Sequence, residues 1–131
     1  MSNKLNKILA EISAGELIDK ITILEIKKAK INDQEKLVNV DKELFSLNET
    51  KKKFIPNENL ISKEIKKLKE INLKLWDIEN EKRKSEKNKD FGEKFIELAR
   101  SVYKSNDERA KIKLSINNIL GSNIKEVKSH E

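Results

Sequence analysis

The sequence predicts an all-α protein, with two antiparallel helical hairpins packed as a bundle in one domain spanning residues 1–131. A short hairpin takes residues 14–31 and 33–53, and a long one takes residues 57–87 and 90–120. Three observations predict this. Apolar residues recur at three-four spacing in four separate stretches. Capping residues and helix breakers fall between those stretches. The composition, 36% hydrophobic and 40% charged with one Pro and three Gly, suits helices that bury one stripe and solvate the rest.

The first helix is the most apolar part of the chain. Ser13 stands at its N-cap, and Glu16 three residues on completes a capping box. Leu17, Ile21, Leu24 and Ile31, with Ile18 beside them, recur at helical spacing. Before it, Ile8, Ala10 and Ile12 alternate with Lys7 and Glu11, a short strand pattern that would pair with its copy in a second chain or form an extended lead-in. Ile124 to Val127 is a fainter pattern of the same kind.

Asn32-Asp33 breaks the first helix, and Asp33 caps the second, whose stripe is Leu37, Val40, Leu44 and Leu47. A break this short implies an antiparallel hairpin. Pro56 ends the second helix, because its ring pushes Ile55 out of helical geometry. Asn57 is placed to cap the third helix, which carries Leu60, Ile61, Ile65, Leu68, Ile71, Leu75 and Ile78. The charged run from Glu79 to Lys89 carries it outward. Asp90 is placed to cap the fourth helix, with Glu93 completing a second capping box. Phe91, Phe95, Leu98, Ala99, Val102, Tyr103, Ala110, Leu114 and Leu120 follow, and Gly121 terminates it. An antiparallel turn near Asn88 sets Asn72 near Ser105 and Asn106, Leu68 near Arg109, and Trp76 near Ser101.

Composition narrows the chemistry. The chain has no Cys, which removes disulfides, thiol nucleophiles and thiolate zinc sites and is compatible with a reducing cytoplasm. Its one His is His130, close to the C-terminus. A Ser–His pair, or the Glu-x-x-His pairs of di-iron bundles, would need a histidine inside the helices. No glycine-rich phosphate loop or nucleophile elbow occurs, so the reading is of no catalytic set, no cofactor and no metal. No apolar run is long enough for a membrane span, and charges interrupt the first twelve residues as they would not in a signal peptide. The expected compartment is the cytoplasm.

The net charge of +6 comes from lysines interleaved with Glu and Asp, as in Lys63 to Glu70. That pattern reads as a solvated mixed-charge face. Arginine, the residue of bidentate phosphate contacts, occurs only at positions 83, 100 and 109. Nucleic-acid binding beyond weak, salt-sensitive contacts is therefore not expected.

Three groups stand out. Gly15, Glu16, Asp19 and Lys20 lie at the start of the first helix, where capping and the helix dipole account for the acids and close packing accounts for the glycine. In the fourth helix the apolar stripe turns polar at Asn106, Arg109 and Lys113. One reading is a buried network, with Arg100 or Arg109 paired to Glu16, Asp19 or Glu79 and with Asn72 meeting Asn106, that fixes helix register. The other is a small-anion pocket formed by Glu16, Asp19, Arg100, Tyr103 and Arg109. Third, Trp76 in Leu75-Trp76-Asp77-Ile78-Glu79 reads as a core or interface residue.

The stretches Ser13–Lys27, Leu75–Glu79, Phe95–Tyr103, Asn106–Ala110 and Leu120–Ser122 together resemble a small family of bacterial and phage proteins classed as a domain of unknown function. A proline commonly precedes the glycine there, where this chain has Ala14. The resemblance implies one compact domain and carries no activity; some relatives accompany glycosyltransferase-type proteins. The expectation is a non-catalytic, self-associating adaptor or assembly protein, most simply a dimer with a possible protein partner. The alternative is a binder of a sugar phosphate or nucleotide sugar.

Overall fold

Four helices, all joined by short connections, carry the chain in a computed structural model that describes residues 4–127. They are α1 (Ala14–Lys30), α2 (Gln34–Phe54), α3 (Ser62–Lys87) and α4 (Glu93–Leu120), with a single 3-10 turn at Glu58–Ile61 before α3. Helix α1 is the hub. It packs against α2, α3 and α4, whereas α2 packs on α1 alone and α3 lies along α4.

Two stripes on α1 explain that position. Leu17, Ile18, Ile21 and Leu24 point into a core shared with Val40 and Leu44 of α2, Leu68 and Ile71 of α3, and Ile112 and Ile116 of α4. Gly15, Asp19, Thr22 and Ile26 recur at helical spacing and are buried as well. A helix buried on two sides needs neighbours on both. Ile61, Leu68 and Ile116 are wholly sealed at 0% exposure, and Ile55, held at the α2 exit beside Pro56, fills the same core.

The helix ends follow local chemistry in part. Ser13 Oγ accepts the Glu16 N–H, and Asp33 Oδ1 accepts the N–H groups of Glu35 and Lys36. Gly121 closes α4 with φ at 65°, a left-handed value that a side chain would strain. Two expected caps are corrected. Asn57 precedes the 3-10 turn and makes no side-chain cap, so α3 begins at Ser62 rather than 57. Asp90 does not cap α4, which starts at Glu93 behind Gly92; its carboxylate accepts the Gly92 N–H within the turn.

Neither strand pattern forms a strand: residues 4–12 and 124–127 are without regular structure. Leu5, Ile8 and Leu9 are over 80% exposed, and among the described residues no strand forms to pair with them. The larger correction concerns α4. Its buried face runs through Ser105, Ile112, Lys113, Ile116 and Asn117. Phe91, Tyr103 and Leu114, expected in the core, are 52%, 57% and 44% exposed. Helix α4 carries two apolar stripes, and only one meets α1 and α3.

Candidate functional site

Polar residues from three helices and the C-terminal segment converge where α1 starts. Three positions on α4, Arg109, Lys113 and Asn117, are four residues apart and so lie in one row. Opposite them on α1 stand Gly15, Glu16 and Asp19.

Asp19 is the centre, with its side chain 1% exposed. Arg109 grips it side-on: Nε donates to Oδ1 at 2.9 Å, and Nη2 donates to Oδ2. Asn72 of α3 donates one amide hydrogen to Asp19 Oδ1 and the other to Thr22 Oγ1, both at 2.9 Å. The Thr22 hydroxyl in turn donates to the Asp19 carbonyl at 2.8 Å. A buried carboxylate is tolerated when it is paired and hydrogen-bonded throughout, as here. Among the described residues no buried side-chain nitrogen or oxygen lacks a partner.

Lys113 extends the cluster outward. Its ammonium lies 2.7 Å from Glu16, 2.6 Å from Glu126 and 4.0 Å from Asp19. Three carboxylates thus surround one cation. Burial pulls the Lys113 ammonium toward neutrality, but hydrogen bonds to Glu126 and Glu16 outweigh it, and its pKa is raised. The Arg109 pKa is raised too, mainly by its hydrogen bonds to Asp19 and against the effect of burial.

The same junction closes the start of α1. Gly15 N–H donates to Asn117 Oδ1 at 2.7 Å, and Ala14 N–H donates to Ser122 Oγ at 3.1 Å. A Cβ on Gly15 would lie 2.4 Å from the Lys113 carbonyl oxygen. That separation is shorter than any contact, so glycine is what lets α1 and α4 touch through their backbones.

Of the residues singled out from sequence, Glu16, Asp19, Asn72 and Arg109 come together. Arg100 and Tyr103 do not: both are exposed on the far half of α4. Glu79 is exposed and pairs with Lys82 at 3.6 Å. Asn106 stays at the rim, accepting from Arg109 Nη1 at 3.4 Å, and Asn72 meets Asp19 and Thr22 instead. Trp76 is half-buried. His130 lies outside the described residues. Lys113, Thr22, Asn117 and Glu126 belong to the cluster and were not among the sequence candidates. The four-residue row of Arg109, Lys113 and Asn117 was the available signal, a polar ladder on a face that should be apolar.

An open groove of about 610 Å³ runs between α3 and α4, floored by Ile71 and Ile112 and walled by charged residues such as Lys67 and Glu108; none of the candidate residues lines it. Among the described residues there is no grouping of His, Cys, Asp and Glu suited to a metal ion, and no helix long and apolar enough to cross a membrane.

Fold and site together define a class: an all-helical chain whose polar centre ties helices to one another. The chain belongs to DUF6165, a family of unknown function whose model matches residues 8–131. No curated protein and no solved structure matches it.

Proposed function

We propose that the protein is a non-catalytic helical module that associates with itself and serves as an assembly or adaptor element. The observation that carries this reading is the amount of surface left uncovered. A compact monomer of 15.2 kDa exposes about 7,100 Å², whereas this chain exposes 10093 Å². The excess is several times the roughly 800 Å² that each partner contributes to a standard interface. It includes apolar side chains: Leu5, Ile8 and Leu9 in the N-terminal segment, Val38 and Phe45 on α2, and Ile96, Tyr103 and Leu114 on α4 are all over 40% exposed. Scattered apolar residues are ordinary, but recurring ones on helix faces point to partners.

The polar cluster supports the same reading over a pocket for a sugar phosphate or nucleotide sugar. Arg109 and Lys113 already face carboxylates, so an incoming anion would have to displace Asp19 or Glu16. Sedimentation equilibrium at 1–100 micromolar, an order-of-magnitude range around common dimer affinities, tests the proposal. A dimer is expected. A strict monomer throughout would overturn it, and thermal stabilisation by sugar phosphates would restore the alternative.

A further inference from the structure

Beyond Gly121 the chain turns back across the head of α1 and is tied there chiefly by polar groups. Ser122 N–H donates to the Asn117 carbonyl at 2.8 Å. Ser122 Oγ accepts the Ala14 N–H at 3.1 Å and donates to the Ile124 carbonyl at 2.8 Å. Asn123 Nδ2 donates to Glu11 Oε2 at 2.6 Å, and Glu126 reaches the Lys113 ammonium at 2.6 Å. Residues 122–127 thus touch the lead-in before α1, the first turn of α1 and the buried row on α4. Their apolar side chains add little: Val127 is 86% exposed and even Ile124 is 40% exposed.

Three features make this segment a separate moving part. What holds it is weak. A hydrogen bond or a partly solvated ion pair contributes about two- to tenfold to an equilibrium, and a segment with little apolar burial lies at the low end of local stability. It also has a pivot. Gly121 takes a left-handed φ of 65°, and an added Cβ there would meet nothing within 4 Å. The backbone has room to swing where α4 stops, and element-terminal residues of this kind absorb hinge rotations. Finally, no buried charge is orphaned when the segment leaves. Lys113 keeps Glu16 at 2.7 Å, Arg109 keeps Asp19, and the Gly15 N–H keeps Asn117 Oδ1.

We propose that residues 122–127 form a latch that swings on Gly121 and opens while the four helices stay folded, with Glu126 on Lys113 as its catch and Asn123 on Glu11 as its link to the N-terminal segment. Closed, the latch covers the outer side of the Lys113 ammonium and holds the lead-in at Glu11. Open, it uncovers Lys113 and frees residues 4–12, with their exposed Leu5, Ile8 and Leu9. The two flanking segments therefore open and close together, and a partner that engages one is felt at the other. The device works within a single chain, so it stands apart from the self-association proposed above.

Two neighbouring amides read the latch directly. The Ala14 N–H is closed by Ser122, which leaves with the segment, and the Gly15 N–H by Asn117, which stays on α4. The test is residue-resolved amide exchange by NMR on the full chain at neutral pH. Glu126→Gln should speed exchange at Ala14 about five- to tenfold and leave Gly15 within about twofold of wild type. Added sodium chloride, which screens a partly exposed pair, should speed Ala14 in wild type and much less in Glu126→Gln. Asn123→Ala should lower the heteronuclear NOE of residues 5–10 and leave that of α1 unchanged. Both variants should melt within about 3 °C of wild type, as expected of exposed positions. Ala14 and Gly15 speeding together, or a larger drop in melting temperature, would make the segment part of the folded body and overturn the latch. So would an Ala14 rate indifferent to Glu126→Gln, or a lead-in unmoved by Asn123→Ala.

Discussion

The two halves of α4 are made of similar residues and meet different fates. From Ser105 to Asn117 the helix buries Ser105, Ile112, Lys113, Ile116 and Asn117. From Glu93 to Lys104 it buries none, although Phe95, Ile96, Leu98 and Val102 are as apolar as anything further on. The difference is what lies alongside. The C-terminal half has α1 in backbone contact at Gly15 and a charge network at Asp19. The N-terminal half keeps Phe95, Leu98 and Val102 half-buried, and Phe91 packs edge-on against Phe95 at the turn, 5.4 Å between ring centres. Burial is thus decided by the neighbour and not by the residue type.

That contrast has measurable consequences. The largest belongs to Asp19→Ala, which strands the Arg109 guanidinium without its carboxylate; a loss of about 3–5 kcal/mol in urea unfolding is expected. A loss below about 1 kcal/mol would mean that the cluster does not hold the clamped half. Next comes Gly15→Ala. In an ordinary helix this exchange stabilises by up to about 1 kcal/mol, but here the new methyl meets the Lys113 carbonyl, and a loss of about 1–3 kcal/mol is expected from the overpacking. A rise in melting temperature would show that the helices can part at no cost.

Lys113→Met is expected to cost less, about 1–2 kcal/mol at neutral pH, because Glu16 and Glu126 are partly solvated and regain water. Its pH dependence carries a sign. The Lys113 pKa is raised on folding, so the folded state holds that proton more tightly. The contribution is complete below the ordinary lysine value of about 10.4 and disappears as pH rises through the higher folded value. The stability gap between wild type and Lys113→Met, followed by denaturation from pH 7 to 11.5, should stay constant and then close above about pH 10.4. A gap that closes toward neutrality would contradict the geometry. The smallest effect is expected in the open half: Ile96→Ser, measured on dilute monomer, should stay within about 0.5 kcal/mol. A larger loss would place a covered core there after all.

Much of the fold was legible because its signals are local. Ser13 and Asp33 cap the helices they precede, and the stripe of Leu17, Ile18, Ile21 and Leu24 is unbroken. The pairing of Arg109 with Asp19 was one of several arrangements that sequence allowed. The face of α4 was misread because two stripes of similar strength lie on it, one through Tyr103, Ala110 and Leu114 and one through Ile112 and Ile116; periodicity finds stripes and cannot rank them. Asp90 looked like a cap from spacing alone, but the chain turns through Lys89 at a positive φ of 55° and delivers Gly92 to that position. Lys113 was marked only as a polar break in the fourth-helix stripe, because a lysine in a lysine-rich chain does not show that it is buried, and Glu126 was passed over because nothing beyond Gly121 suggested a return to the helices.

The acceptors at the head of α1 come from far along the chain: Asn117 and Ser122 are 102 and 108 residues away from the amides they receive. A ribosome therefore releases the hub helix long before it releases the atoms that finish its first turn. Until then α1 has only α2 and α3 to lean on, and its glycine face stays wet. Closure of the domain is a late event, coupling the order of synthesis to the moment at which the α4 surface is first held in a fixed position.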